Sequence, residues 1–261
     1  MINIAHILPV NQISPDMPRQ SYEMYLTAKV LEYPEKFAFL AADDNEVEPP
    51  FKILDNSACE LGCGLQMNKV MEAAEIINAD EIVLSDIPQS SKSFRKTLEA
   101  LMTVVEWADK RNVQIAAVCQ GETIDQIKRC IDQILSLRFV DTIMIPKWYC
   151  NLTSDGLGRH QLVKYVREAE RRKGVDRTSI HLLGLDGGIY ELIGLGNEVR
   201  SVDTGLFSAY STPTWSSLNI FSERPRELKI NLDGMNVDMN RWEKLTSQVE
   251  RVLLEDNQSN V

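Results

Sequence analysis

The sequence predicts a single-domain (β/α)8 TIM barrel, on three observations. Eight short apolar, β-branched segments recur along the 261-residue chain. Amphipathic helical patterns fill most of the gaps between them. Several of the apolar segments are continuous hydrophobic runs, as parallel strands buried on both faces are. An open doubly wound sheet shares this rhythm, but no Gly-rich dinucleotide loop follows the first strand here.

The predicted strands are "INIAHIL" (2–8), "YLTAKVL" (25–31), "FKILD" (51–55) and "EIVLSD" (81–86), followed by "VQIAAVC" (113–119), "DTIMIP" (141–146), "SIHLLGL" (179–185) and "VRSVD" (199–203). Between the second and third strands, "PEKFAFLAADD" reads as strand or helix, and a helix keeps the alternation intact. "NKVMEAAEIINA" (68–79) places Val70, Ala74 and Ile77 on one stripe, and "SFRKTLEALMTVVEWADKR" (93–111) is the longest helical pattern in the barrel region. In "TIDQIKRCIDQILSL" (123–137), Thr123 is the N-cap and Ile124, Ile127, Ile131 and Ile134 form the buried stripe. "HQLVKYVREAERRK" (160–173) and "GGIYELIGLG" (187–196) complete the alternation. The segment from about 204 to 261 lacks the βα rhythm and is expected to cap the barrel through "MNRWEKLTSQVERVLLE" (239–255), with Trp242, Leu245, Val249 and Val252 facing in.

Composition narrows the function classes. Hydrophobic residues are 44% and charged residues 25%, the balance of an ordinary globular chain. No apolar run approaches the ~20 residues that span a bilayer. "MINIAHILPVNQ" has neither a basic n-region nor a small-residue cleavage site and reads as a strand, so a cytoplasmic location is expected. A net charge of −10 argues against non-specific coating of nucleic acid, while "SKSFRK" (91–96), "REAERRKGVDR" (167–177) and "ERPRELK" (223–229) are candidates for a local basic rim. The five cysteines, 59, 63, 119, 130 and 150, are an odd number with no zinc-finger spacing to the scattered His6, His160 and His181. No structural metal is expected, and Cys59 and Cys63 read as packing residues.

In such a barrel the chemistry sits at the carboxyl ends of the strands. Those ends carry Asp55, Asp86, Gln120 with Gly121, Lys147 and Asp203. An isolated Asp after a strand is usually an Asx turn or a helix cap. The set is more informative, because the fold brings all of it to one rim. Two carboxylates about one pocket suit chemistry at a sugar carbon, one attacking while the other moves a proton. A third carboxylate with a glutamine and a backbone amide has the donors and acceptors to read the edge of guanine.

These residues resemble the tRNA-guanine transglycosylase superfamily over about 51–210. "LDNSACELG" looks like the family's "DSGGFQ" loop, "VLSDIPQ" its base-reading strand end and "AAVCQG" its "GIVQGG". "TIMIPK" falls where the family has a strand ending over the base, and "HLLGLDGGIYELIGLGNEVRSVD" resembles its closing strand, helix and strand. The family's cysteine-rich zinc subdomain after the last strand has no counterpart, because no cysteine or histidine follows residue 205. Together with the form of the "LDNSA" loop, this is more similar to the phage and bacterial branch that inserts 7-deazaguanine bases, such as preQ0, into DNA.

The resemblance implies an enzyme that exchanges guanine in DNA for a 7-deazaguanine through a covalent glycosyl-aspartate. Its partners are DNA with a flipped-out guanosine and the free base, and no cofactor is needed. Asp203 would be the nucleophile and Asp55 the general acid/base. Asp86, Gln120, Gly121 and Met144 would contact the base, with Met144 also open to barrel packing. Asn56 and Ser57 would orient Asp55 or hold substrate, Glu60 would start a helix or brace the loop, and Lys147 is a candidate phosphate contact. His6 and His181 read as satisfied core histidines. The competing readings are exchange on tRNA, exchange on free nucleosides, and a non-catalytic family subunit.

Overall fold

The computed structural model describes residues 2–45, 49–152, 157–185, 188–221 and 233–259. Eight parallel strands form one closed barrel in sequence order: β1 (Asn3–His6), β2 (Tyr22–Leu26), β3 (Phe51–Asp55), β4 (Glu81–Val83), β5 (Gln114–Val118), β6 (Thr142–Pro146), β7 (Ser179–Leu183) and β8 (Ser201–Thr204). Closure is made by β8 against β1, with Ala5 opposite Asp203 and His6 opposite Thr204.

The helical elements are α1 (Thr27–Glu32), α2 (Pro34–Phe37), α3 (Ala58–Leu61), α4 (Met67–Ile77), α5 (Ser93–Arg111), α6 (Ile124–Ile134), α7 (Gly158–Lys173), α8 (Leu206–Tyr210) and α9 (Met239–Ser259). The Thr123 hydroxyl does cap α6, accepting from the Gln126 amide at 3.4 Å. α4 and α5 end at asparagines in the left-handed region, Asn78 and Asn112.

Three expectations are corrected. The second strand lies at Tyr22–Leu26, not 25–31, and "TAKVLE" is α1. Thr27 and Val30 suggested a strand, but the other four residues are good helix formers, and Val30 is fully buried on the helix. The 187–196 helix is replaced by 3-10 turns at Ile189–Leu192 and Gly196–Glu198. Gly188, Gly194 and Gly196 there take φ values of 70°, 78° and 45°, which a continuous right-handed helix cannot contain. Finally, α9 closes no end of the barrel. It packs beside β1, where Trp242 lies 4.6 Å from the ring of His6, and its last turns meet the β7–β8 crossover through a Gly194 N–H to Asp256 bond of 3.1 Å. It therefore stands as the helix of the eighth βα unit, and the fourth inward residue of its stripe is Leu253, not Val252.

Strand alternation sends one set of side chains outward against the helices and the other into the barrel. The interior holds Ala5, Met24, Ile53, Val83, Ala116, Val118 and Met144. Below this layer, at the amino ends, buried Glu81 receives two guanidinium hydrogen bonds of 2.8 Å from Arg200 and a 2.6 Å bond from Thr142. The Arg200 guanidinium lies 5.2 Å from the Phe51 ring centre. A buried charge is tolerated only with such full pairing.

Candidate active site

The carboxyl ends of the strands open into a cavity of about 290 Å³, lined by Asp55, Asn56, Asp86, Gln120, Lys147 and Asp203 among others. That volume is near the lower limit for small-molecule sites. Met24, Val118 and Leu183 supply apolar lining, while Cys59, Glu60 and Trp148 reach it from the rim.

The loop after β3 is the hub of the site. Asp55 lies two residues beyond the inward Ile53 and so points the same way. Its Oδ2 accepts the Ser57 N–H at 2.8 Å, and its carbonyl accepts the Thr27 hydroxyl at 2.6 Å. Ser57 is held at φ 60°, a left-handed conformation unusual for serine. Its hydroxyl fixes that turn by accepting the Ala28 N–H at 3.0 Å. Asn56 accepts the Ala58 N–H at 2.8 Å and donates to the Leu84 carbonyl at 2.6 Å and to Asp86 Oδ1 at 2.9 Å. Gly64 then passes so close to the next strand end that a Cβ there would lie 2.9 Å from the Asp86 nitrogen.

Asp86 is clamped on both oxygens, because Gln120 Nε2 donates to its Oδ2 at 2.6 Å. Gln120 is fixed in turn, its Oε1 accepting the Gln89 N–H at 2.9 Å and the Tyr149 hydroxyl at 3.2 Å. Burial pushes the Asp86 carboxyl above its ordinary range, and the two amides oppose the shift. Burial also holds the Asp55 carboxyl well above its ordinary range, with the charges of Glu60, Asp203 and Asp86 adding to the effect and the Ser57 N–H opposing it. Glu60 is raised by burial and then by Asp203, with Lys147 and Lys29 pulling the other way.

Asp203, two residues after the inward Ser201, uses one oxygen for support. Its Oδ1 lies 3.1 Å from His181 Nε2 and accepts the Gly184 N–H at 2.9 Å. Among the described residues, none donates to Oδ2. Gly184 has φ +67° and packs on the Lys147 side chain, where a Cβ would come within 2.7 Å of its Cδ. The Gly184 carbonyl is held at 2.9 Å by Arg159, a fully buried arginine that also pairs with Glu191 and bonds the carbonyls of Ile145 and Leu183.

Six of the expected residues thus meet at one cavity, and three do not. Gly121 directs its N–H to the Tyr149 oxygen at 2.9 Å, and a Cβ there would lie 2.8 Å from the Ile127 nitrogen, so it serves the packing of α6. Met144 is fully buried in the barrel interior, because its inward position is one layer below the rim. Ser57 is fully buried behind Asp55, with its N–H on Asp55 Oδ2. Cys59, at the cavity rim, and Cys63, beside Lys96, are both exposed and are not packing residues. His181 is satisfied and buried as expected, but its partner is Asp203, which strand alternation alone could have revealed.

Of the basic stretches, 91–96 lies on the site face, with Lys96 donating to the Gly64 carbonyl at 2.8 Å. The arginines of 167–177 are at the other end of the barrel and are engaged, as in the Arg167–Glu198 and Arg172–Asp132 pairs. Residues 223–229 lie outside the described residues. No described helix is long and apolar enough to cross a membrane.

No family model matches the chain, and no curated protein matches it. Solved structures do. A D-allulose 3-epimerase from Methylomonas sp. is 12% identical with a TM-score of 0.46, covering 95% of this chain and 98% of its own. A protein of Corynebacterium glutamicum is 11% identical with a TM-score of 0.37, covering 79% of this chain and 78% of its own. Likenesses this distant carry nothing about substrate.

Proposed function

We propose that the protein is a base-exchange enzyme that replaces guanine in DNA with a 7-deazaguanine, by double displacement through Asp203. The observation that carries the reading is the pairing of two unlike carboxyls in one cavity. Asp203 offers an oxygen with no described donor on it, while Asp55 retains its proton to higher pH than an ordinary carboxyl. A nucleophile and a proton carrier are what exchange at a glycosidic carbon requires.

In the first displacement Asp203 Oδ2 forms a bond to C1′ as the C1′–N9 bond breaks, and Asp55 gives its proton to the departing guanine. In the second, the incoming 7-deazaguanine yields its N9 proton to Asp55, N9 bonds to C1′, and the ester to Asp203 breaks. Asp55 ends with the proton it began with. The clamped Asp86 carboxylate keeps lone pairs for the ring N–H and exocyclic amine of guanine. A stacked duplex hides C1′, so the target nucleotide must be extruded into the cavity. The chemistry calls for no metal or redox cofactor. The choice of DNA over tRNA rests on the sequence resemblance, above all on the form of the "LDNSA" loop.

The test is incubation of the protein with radiolabelled preQ0 and, separately, duplex DNA, tRNA or deoxyguanosine. Label in DNA alone is the expected result. Label in tRNA and not in DNA would transfer the reading to the tRNA branch, and label in none would end it.

A further inference from the structure

We propose that His181 is a positioning residue that holds Asp203 with Oδ2 toward the sugar carbon, its tautomer dictated from the barrel floor through Glu81, Arg200 and Ser201. The role of Asp203 rests on the function proposed above; the relay itself does not.

The relay starts from an arginine, whose donor role is fixed, and ends on the Asp203 carboxylate. Glu81 is fully buried and accepts both terminal guanidinium nitrogens of Arg200 at 2.8 Å, which fixes the plane of the guanidinium. Arginine can only donate, so its Nε, 3.2 Å from Ser201 Oγ, must use the serine as acceptor. That leaves the Ser201 hydroxyl one proton and one lone pair, and the relay gives the proton to His181 Nδ1 at 2.8 Å. A neutral imidazole that accepts at Nδ1 carries its proton on Nε2. That proton faces Asp203 Oδ1 at 3.1 Å.

The consequence for exchange is specific. With His181 and the Gly184 amide both on Oδ1, the carboxylate plane is fixed and Oδ2 is left as the attacking atom. After attack, Oδ1 is the carbonyl oxygen of the glycosyl ester and keeps both donors. When the ester breaks, charge returns to the carboxylate, and the same two donors stabilise it, as an oxyanion hole does. A histidine whose proton sat on Nδ1 would instead turn a lone pair toward Asp203.

The deciding experiment is nitrogen NMR of the ring-15N-histidine protein, with the His181 signals identified by their loss in His181→Gln. The expected spectrum shows a pyridine-type Nδ1 and a pyrrole-type Nε2 for His181, and Ser201→Ala loses that fixed tautomer. A pyrrole-type Nδ1 in the unaltered protein would overturn the relay. In the exchange assay, His181→Gln, which keeps a donor near Nε2, should stay within about tenfold of the unaltered kcat, whereas His181→Leu should lose on the order of 10²-fold with KM for the base unchanged. A folded His181→Leu protein that exchanges at the unaltered rate would refute the positioning role. If His181→Leu fails to fold, Ser201→Ala takes its place, with a fall in kcat of about tenfold expected and an unchanged kcat refuting. Should the unaltered protein exchange no base on any polymer, the proposed function fails, while the tautomer still decides the relay.

Discussion

Replacing His6 with phenylalanine should remove a large part of the acid sensitivity of the fold. His6 points outward from β1 between the rings of Phe207 and Trp242, at 4.9 and 4.6 Å, and neither ring nitrogen has a hydrogen-bond partner among the described residues. Burial lowers its pKa from 6.5 to about 3. The folded chain therefore keeps His6 neutral while the unfolded chain protonates it. The stability this lends is fully present above pH 6.5 and is lost as the pH falls toward about 3. Each pH unit in that window removes about 1.4 kcal/mol, hence about 3 kcal/mol by pH 4.5. A difference of about 3 kcal/mol should separate the pH dependences of the two proteins. Urea unfolding of both at pH 7.5 and pH 4.5 measures it, and the carboxyls of Asp55, Glu60 and Asp86, whose shifts have the opposite sign, are common to both and cancel. Parallel loss of stability in the two proteins would show that His6 is hydrated or partnered in the fold and refute the reasoning.

Asp203→Asn should abolish base exchange and any covalent adduct trapped with DNA, and near-normal exchange would mean the nucleophile is misassigned. Asp86→Ala should raise the KM for the free base with a smaller effect on kcat; an unchanged dependence on base concentration contradicts its reading role. Because the Asp55 carboxyl is shifted upward, the guanine-releasing half-reaction should run at low pH and fail as the pH rises through that raised pKa, a limb that Asp55→Asn removes. Arg159→Met leaves Glu191 buried without its main partner and should cost about 3–5 kcal/mol in urea unfolding, with no loss showing that the pair is dispensable.

The barrel and much of its site were legible in the chain because both rest on short-range pattern. Apolar runs of strand length separated by helical stripes leave few architectures open, and residues at strand ends share a rim whatever their distance in sequence. Asp55, Asp86, Gln120 and Asp203 could be picked out on that ground. Depth was less legible. Met144 lies on the same kind of apolar strand as those that end in site residues, yet its mid-strand position leaves it one layer short of the cavity. Gly121 follows Gln120 directly, yet its N–H turns away to Tyr149, a partner 28 residues on. The misplaced second strand shows the limit of local propensity, since "YLTAKVL" satisfies strand and helix alike and only the pairing of Tyr22–Leu26 with Phe51–Asp55 decides between them.

The amino-acid sequence by itself determined that this chain forms an eightfold βα barrel and which carboxyl groups its rim can carry, since periodicity and residue type are properties of short segments. Tertiary structure alone decided what those groups are. The proton-retaining state of Asp55 depends on burial beside three other carboxyls from its own loop and two other strand ends. The tie between Asp203 and His181, from there to Ser201, Arg200 and Glu81, joins residues up to 122 positions apart across the closed barrel. Such couplings arise from desolvation and directional hydrogen bonds, and both come into being only when the strands have met.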